Sequence, residues 1–90
     1  MYIWDDEKSR LNSQKHGISF EEARDHIFEG KNVFAPEVAY DKGEVRHAVI
    51  GQYKNKFYVG IFTLTPMGIR IISVRRARDE EENQAKQKGI

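Results

Sequence analysis

Two kinds of pattern divide the chain: helix punctuation over its first thirty residues, then apolar and polar residues alternating with a period of two from Val33 onward. Asp5, Asp6 and Glu7 place negative charge where a helix starts, Lys15 and His16 place positive charge where it ends, and Gly17 supplies a left-handed stop, which predicts a helix over residues 5–16. Ser19 and Glu22 have capping-box spacing, with Ile18 and Ala23 at the flanking staple positions. Phe20, Ala23, Ile27 and Phe28 follow at helical intervals, so a second helix is predicted over residues 20–29, stopped by Gly30.

The β-rich runs 44–53, 57–65 and 69–77 are separated by Lys54-Asn55-Lys56 and Pro66-Met67-Gly68, and read as consecutive hairpins. A shorter strand over 33–40 precedes them, interrupted or placed at an edge by Pro36 and closed by an Asp41-Lys42-Gly43 turn. Residues 78–86 are predicted helical, with Asp79 and Glu82 in capping-box spacing. Ala85 is their only apolar side chain for docking, so this end is expected to fray. The architecture predicted is α+β: two N-terminal helices packed on an antiparallel β-meander of about four strands, with a short C-terminal helix. The helices would cover one sheet face and leave the other mostly wet. Strict alternation puts Ile69, Ile71, Ser73 and Arg75 on one side of the last strand and Arg70, Ile72, Val74 and Arg76 on the other.

Composition narrows the function classes. A chain of 90 residues, 39% hydrophobic, has room for one domain, 1–90, with a modest core. It contains no run of about 18 apolar residues, and it begins on an acidic segment, so neither a membrane span nor export is indicated and a cytoplasmic protein is expected. The absence of cysteine excludes disulfides, thiolate nucleophiles and cysteine metal sites. His16, His26 and His47 match no helical two-histidine spacing, so no metal or cofactor is expected.

The net charge of +1 conceals an uneven distribution. Asp79, Glu80, Glu81 and Glu82 outweigh Lys86 and Lys88 in the last twelve residues, leaving residues 1–78 the more basic part. Within that part, Arg70, Arg75, Arg76 and Arg78 lie close together, and Lys8, Asn12, Lys15 and His16 fall on one stripe of the first helix with Trp4 at its end. That helix carries Leu11 as its only large apolar residue, so its surface is either a solvated face or a ledge for phosphate. Strand arginines can simply guard an edge against aggregation. Their density beside a basic helix suits a phosphodiester backbone, with Ser73 beside them and Arg46 on a neighbouring strand adding to the set. Among the carboxylates Glu44 is the least easily explained as a cap or as solvated charge.

The spacing Trp4-Asp5-x-x-Lys8-x-x-x-Asn12-x-x-Lys15-His16-Gly17-x-x-Phe20-x-x-Ala23 resembles the N-terminal signature of the BrnT family, toxins of type II toxin-antitoxin modules. Glu44-x-Arg46-x-x-x-Ile50-Gly51 resembles the family's central strand, and Arg70-Ile71-Ile72-Ser73-x-Arg75-x-Ala77 its most characteristic strand. The resemblance implies a RelE-like endoribonuclease, held inactive by a BrnA-like antitoxin with a ribbon-helix-helix DNA-binding domain, so that operator DNA is reached only through the antitoxin. It also implies Lys8, His16, Arg46, Arg70 and Arg75 as the catalytic set. Trp4, Asn12, Lys15, Ser73 and Arg76 are the accompanying RNA-contact candidates. The family's C-terminal helix usually has an aromatic residue after a Glu near position 81, whereas here residues 81–86 offer only Ala85.

RNA carries its own nucleophile, so cleavage by 2′-OH attack needs a base, an acid and cations on the phosphate, and no metal. His16 suits proton transfer, although its place at a helix C-terminus favours the protonated form. The base and acid stay unassigned at this stage. Two other readings use the same surface: a domain that binds nucleic acid without cleaving it, and a protein-interaction module whose basic groove receives an acidic partner segment.

Overall fold

A computed structural model describes residues 1–35 and 39–90, with 39–41 described by backbone alone. The elements run β1 (Tyr2–Ile3), α1 (Asp6–His16), α2 (Phe20–Ala23) continued by a π-helical turn (Arg24–Phe28), β2 (Asn32–Phe34), β3 (Ala39–Asp41), β4 (Glu44–Tyr53), β5 (Lys56–Thr65), β6 (Gly68–Arg76) and α3 (Asp79–Gln87). The helix starts and hairpins predicted from sequence are present, each within a residue or so of its expected bounds. Asp5 caps α1 by accepting from the Glu7 and Lys8 backbone N–H groups, and Gly17 ends it at φ 78°. The Ser19–Glu22 capping box forms with both of its bonds.

Five features differ from expectation. The expected strand over 33–40 is two short strands, β2 and β3, both antiparallel to β4; Pro36 lies outside the described residues. A parallel strand, β1, adds to β6, giving the order β1-β6-β5-β4-β2 with β3 on the start of β4, so the sheet is larger than a four-strand meander. Two residues are too few to produce a periodic signal. Their pairing needs Gly68, which sits at φ 132° where a Cβ would lie 2.3 Å from the Met1 carbonyl oxygen. The second helix widens from α to π after Ala23, closing with a Glu29 N–H to Arg24 carbonyl bond of 2.9 Å. The Asn32 amide then takes the freed Ile27 and Phe28 carbonyls at 2.7 and 3.0 Å.

The fourth difference is a second core. Ile18, Phe20, Ala23, Ile27, Val49, Phe62, Ile71 and Val74 are buried between α1, α2 and the sheet. On the opposite face Ile50, Phe57, Val59 and Ala85 form a smaller cluster under α3. That face is therefore not wet in the middle: Ala85 is fully buried, and its small size lets the α3 backbone approach the strands. Nor is the cap Asp79–Glu82. The Arg78 N–H donates instead to Glu81 Oε1 at 2.8 Å.

The fifth is a break in the alternation of β6. Ser73 pairs with Ile61 but Ile71 pairs with Phe62, so Ile72 is an extra residue on the β6 side. The bulge rotates Ile71 and Val74 onto the same core, and it sends Arg75, opposite Val59, to the α3 face and Arg76, opposite Tyr58, to the α1 face. Side chains along β6 therefore do not alternate strictly: Ile71 and Val74 share a face that strict alternation would divide.

α1 docks by hydrogen bonds more than by apolar contact. Its buried residues are Ser9 and Asn12, while Leu11 is half exposed. Ser9 Oγ accepts from the Phe20 N–H at 2.9 Å, the Asn12 amide N–H donates to the Ile18 carbonyl at 2.8 Å, and Asn12 Oδ1 accepts from the Val74 N–H at 3.2 Å. β1 covers only the start of β6, so Asn12 satisfies a backbone donor that a neighbouring strand would otherwise take. Asn12→Ala is expected to orphan both groups and lower stability by about 1–3 kcal/mol, read as a shifted midpoint with an unchanged slope in urea unfolding. A change under about 0.5 kcal/mol would mean α1 is held otherwise.

Candidate functional site

With Ser9 and Asn12 turned inward, the remaining polar stripe of α1 faces along the open edge of β6. Lys8, Leu11, Asn12, Lys15 and His16 line a shallow groove of about 210 Å³, closed on its other side by Phe20, Ile72 and Ser73. The helical spacing of the stripe and the uncovered edge of β6 at Ile72 and Ser73 together make this groove.

His16 is partly buried at the end of α1. Burial foremost, then the charges of Lys15 and Arg75, hold its imidazole below the ordinary 6.5. Desolvation and two nearby cations thus act against the protonated form that the helix C-terminus favours. The folded state thus favours neutral His16, and protonating it as the pH falls through the ordinary histidine range works against the fold.

Arg75 is the best-held cation. Its Nη1 and Nη2 donate to Glu81 Oε1 and Oε2 at 2.8 and 2.9 Å, and Nη1 also donates to the Arg76 carbonyl at 3.1 Å. Glu81, its pKa lowered chiefly by this fork, also takes the Arg78 N–H, so one side chain caps α3 and grips β6. Arg75 is raised in turn, chiefly by the same hydrogen bonds.

Arg70 and Arg46 form a separate group around Glu44. Arg70 Nη2 donates to Glu44 Oε2 at 2.7 Å, and Arg46 Nε lies 3.7 Å from Glu44 Oε1. Arg76 lies 5.6 Å over the Tyr58 ring on the α1 face, and Trp4 packs against the main core with Arg24 5.5 Å over its ring. Of the sequence candidates, the structure therefore gathers Lys8, Asn12, Lys15, His16 and Ser73 into one groove, with Arg75 near enough to act on His16. It places Arg46 and Arg70 around their own carboxylate, and Trp4 and Arg76 against the core side. Asn12 has both ends of its amide committed to backbone. Sequence reasoning left out Glu81, which lay hidden in an acidic run, and left Glu44 without a partner although its signal was visible.

Among the described residues no three His, Cys, Asp or Glu side chains converge closely enough to hold a metal ion, and no helix is long and apolar enough to cross a membrane.

Fold and groove together define a small α+β domain that lines the open edge of a sheet with lysines and a partly buried histidine. The family model described as "Ribonuclease toxin, BrnT, of type II toxin-antitoxin system" matches residues 4–81, and the chain belongs to this family. No curated protein matches it. Membership makes the chain the ribonuclease toxin of such a module, with RNA as its substrate and a protein antitoxin as its partner.

Titration of His16 by NMR is expected to give a midpoint below 6.5. Arg75→Ala should raise it, because the substitution removes a cation and releases the Glu81 carboxylate. A midpoint at or above 6.5 in the native protein would return His16 to the helix-dipole reading.

Proposed function

We propose that this toxin is an endoribonuclease that cleaves RNA without metal, by attack of the 2′-oxygen on the adjacent phosphorus. The observation that carries this reading is the place of His16 in a groove lined also by Lys8, Lys15 and Ser73, where burial and the charges of Lys15 and Arg75 hold its imidazole below its ordinary pKa. Neutral His16 takes the 2′-OH proton. The oxygen attacks phosphorus, the bond to the 5′-oxygen breaks, and Lys8 or Lys15 returns a proton to the leaving oxygen. The lysines and Arg75 offset the charge that builds on the phosphoryl oxygens. Arg46 on β4 and Arg70 on β6, grouped around Glu44, stand with Trp4 and Arg76 as outlying RNA contacts. Asn12 serves the groove by fixing α1 against β6.

The partner in this reading is a BrnA-like antitoxin with a ribbon-helix-helix domain that covers the groove and alone recognises operator DNA; the toxin is RelE-like and works in the cytoplasm. Co-expression followed by mass measurement should yield a complex of toxin and antitoxin burying at least about 1,200 Å². Toxin alone should bind operator DNA weakly and without sequence preference, since lysines and arginines on backbone phosphate carry no base information.

Purified antitoxin-free protein is expected to cut RNA in excess EDTA and to leave 2′,3′-cyclic phosphate ends. Lys8→Ala, His16→Ala and Arg75→Ala should each slow cleavage by about 10²-fold or more while unfolding stays cooperative. Lys54→Ala and Lys56→Ala, at the β4–β5 turn, should be silent. Activity lost on chelation and restored by Mg²⁺ would sink the mechanism. RNA binding without cleavage would favour the non-catalytic reading.

A further inference from the structure

Arg75 has more hydrogen-bonding capacity than Glu81 uses. A guanidinium offers five N–H groups in a plane, and the fork to Glu81 takes one from each terminal nitrogen, end-on. The second Nη1 hydrogen goes to the Arg76 carbonyl. The two that remain, on Nε and on the Nη2 side facing it, have no partner among the described residues. They lie parallel along the side edge of the plane, which is itself a two-pronged donor for two oxygens of one phosphate. Glu81 is therefore not a competitor for that edge. It fixes the plane from its end and leaves the adjacent side edge open, and it is itself fixed by the Arg78 N–H and by its place in the first turn of α3.

We propose that Glu81 is a positioning residue for RNA cleavage, holding the Arg75 guanidinium end-on so that its Nε/Nη2 edge meets the phosphate being cleaved. This rests on the ribonuclease reading above. An unrestrained arginine in a strand samples many rotamers, and its charge would still attract RNA without meeting the developing charge in one geometry. Removing Glu81 is accordingly a loss of orientation with the cation retained. Turnover should fall while affinity holds or tightens, since a negative charge has also gone from beside the backbone of the RNA.

The test is a double-mutant cycle with Arg75→Ala and Glu81→Gln. Glutamine keeps an oxygen for the Arg78 N–H and so preserves the cap while breaking the ionic fork. Glu81→Gln alone should lower kcat by roughly tenfold or more. Its Kd for an uncleavable 2′-O-methyl RNA should stay within about threefold of the native value or become tighter. In the Arg75→Ala background the same substitution should cost almost nothing further, because its target is gone. An equal loss in both backgrounds assigns Glu81 a structural role and overturns the proposal, as does a Glu81→Gln protein that cleaves as fast as the native one or faster. Should Glu81→Gln fail to unfold cooperatively, Glu81→Asp takes its place in the cycle, with the carboxylate kept and its reach shortened by one methylene. Native protein inert toward RNA would bring down the ribonuclease reading and this proposal with it. Active native protein with an additive cycle would bring down this proposal alone.

Discussion

The structure depends on one side-chain amide. Asn12 joins the Ile18 carbonyl, in the turn leading to α2, to the Val74 N–H on the open edge of β6. An apolar residue there would bring α1 to the sheet but leave two buried backbone groups unpaired, and each would cost more than a made hydrogen bond gains. Because the docking is polar and directional, α1 needs no apolar stripe, and the face such a stripe would occupy is free to carry Lys8, Lys15 and His16. Stability and the composition of the groove thus follow from a single requirement, that the β6 edge be satisfied by something other than a strand.

The same economy explains which parts could be read from sequence. Elements with local punctuation were legible: the acidic start of α1 at residues 5–7, the capping box at Ser19, the stop at Gly17, and the Lys54–Asn55 turn, where both residues adopt positive φ. Features decided by remote partners were not. The two residues of β1 take their meaning from Gly68, and the bulge at Ile72 from the register of β5. Ala85 looked too small to dock a helix, yet its smallness is what permits the close approach over Phe57 and Val59. The polar stripe of α1 was legible as a candidate site by spacing alone. The pairing of each arginine with one carboxylate was not, since residues 44 and 70, or 75 and 81, meet only once the strands are aligned.

Charge is organised by that pairing. Arg70 with Glu44 and Arg75 with Glu81 are each partly exposed pairs, of the kind that contributes little to stability in water. Their worth lies in orientation. The lysines of the groove carry no such restraint among the described residues, so they supply compact charge where the arginines supply fixed direction.

α3 is attached thinly. Ala85 is its one buried side chain, and the rest of its grip is the Glu81 fork, the Lys86 ammonium over the Phe57 ring and the return of Ile90 to the cluster. An element with so few apolar contacts opens at a lower free energy than the β5-centred core, so its amide hydrogens exchange through local release while those of the strands wait for global unfolding. Each such opening carries Glu81 away and leaves Arg75 briefly alone on the sheet. The charge balance of the groove is thus a time average, set by how often a nine-residue helix lets go.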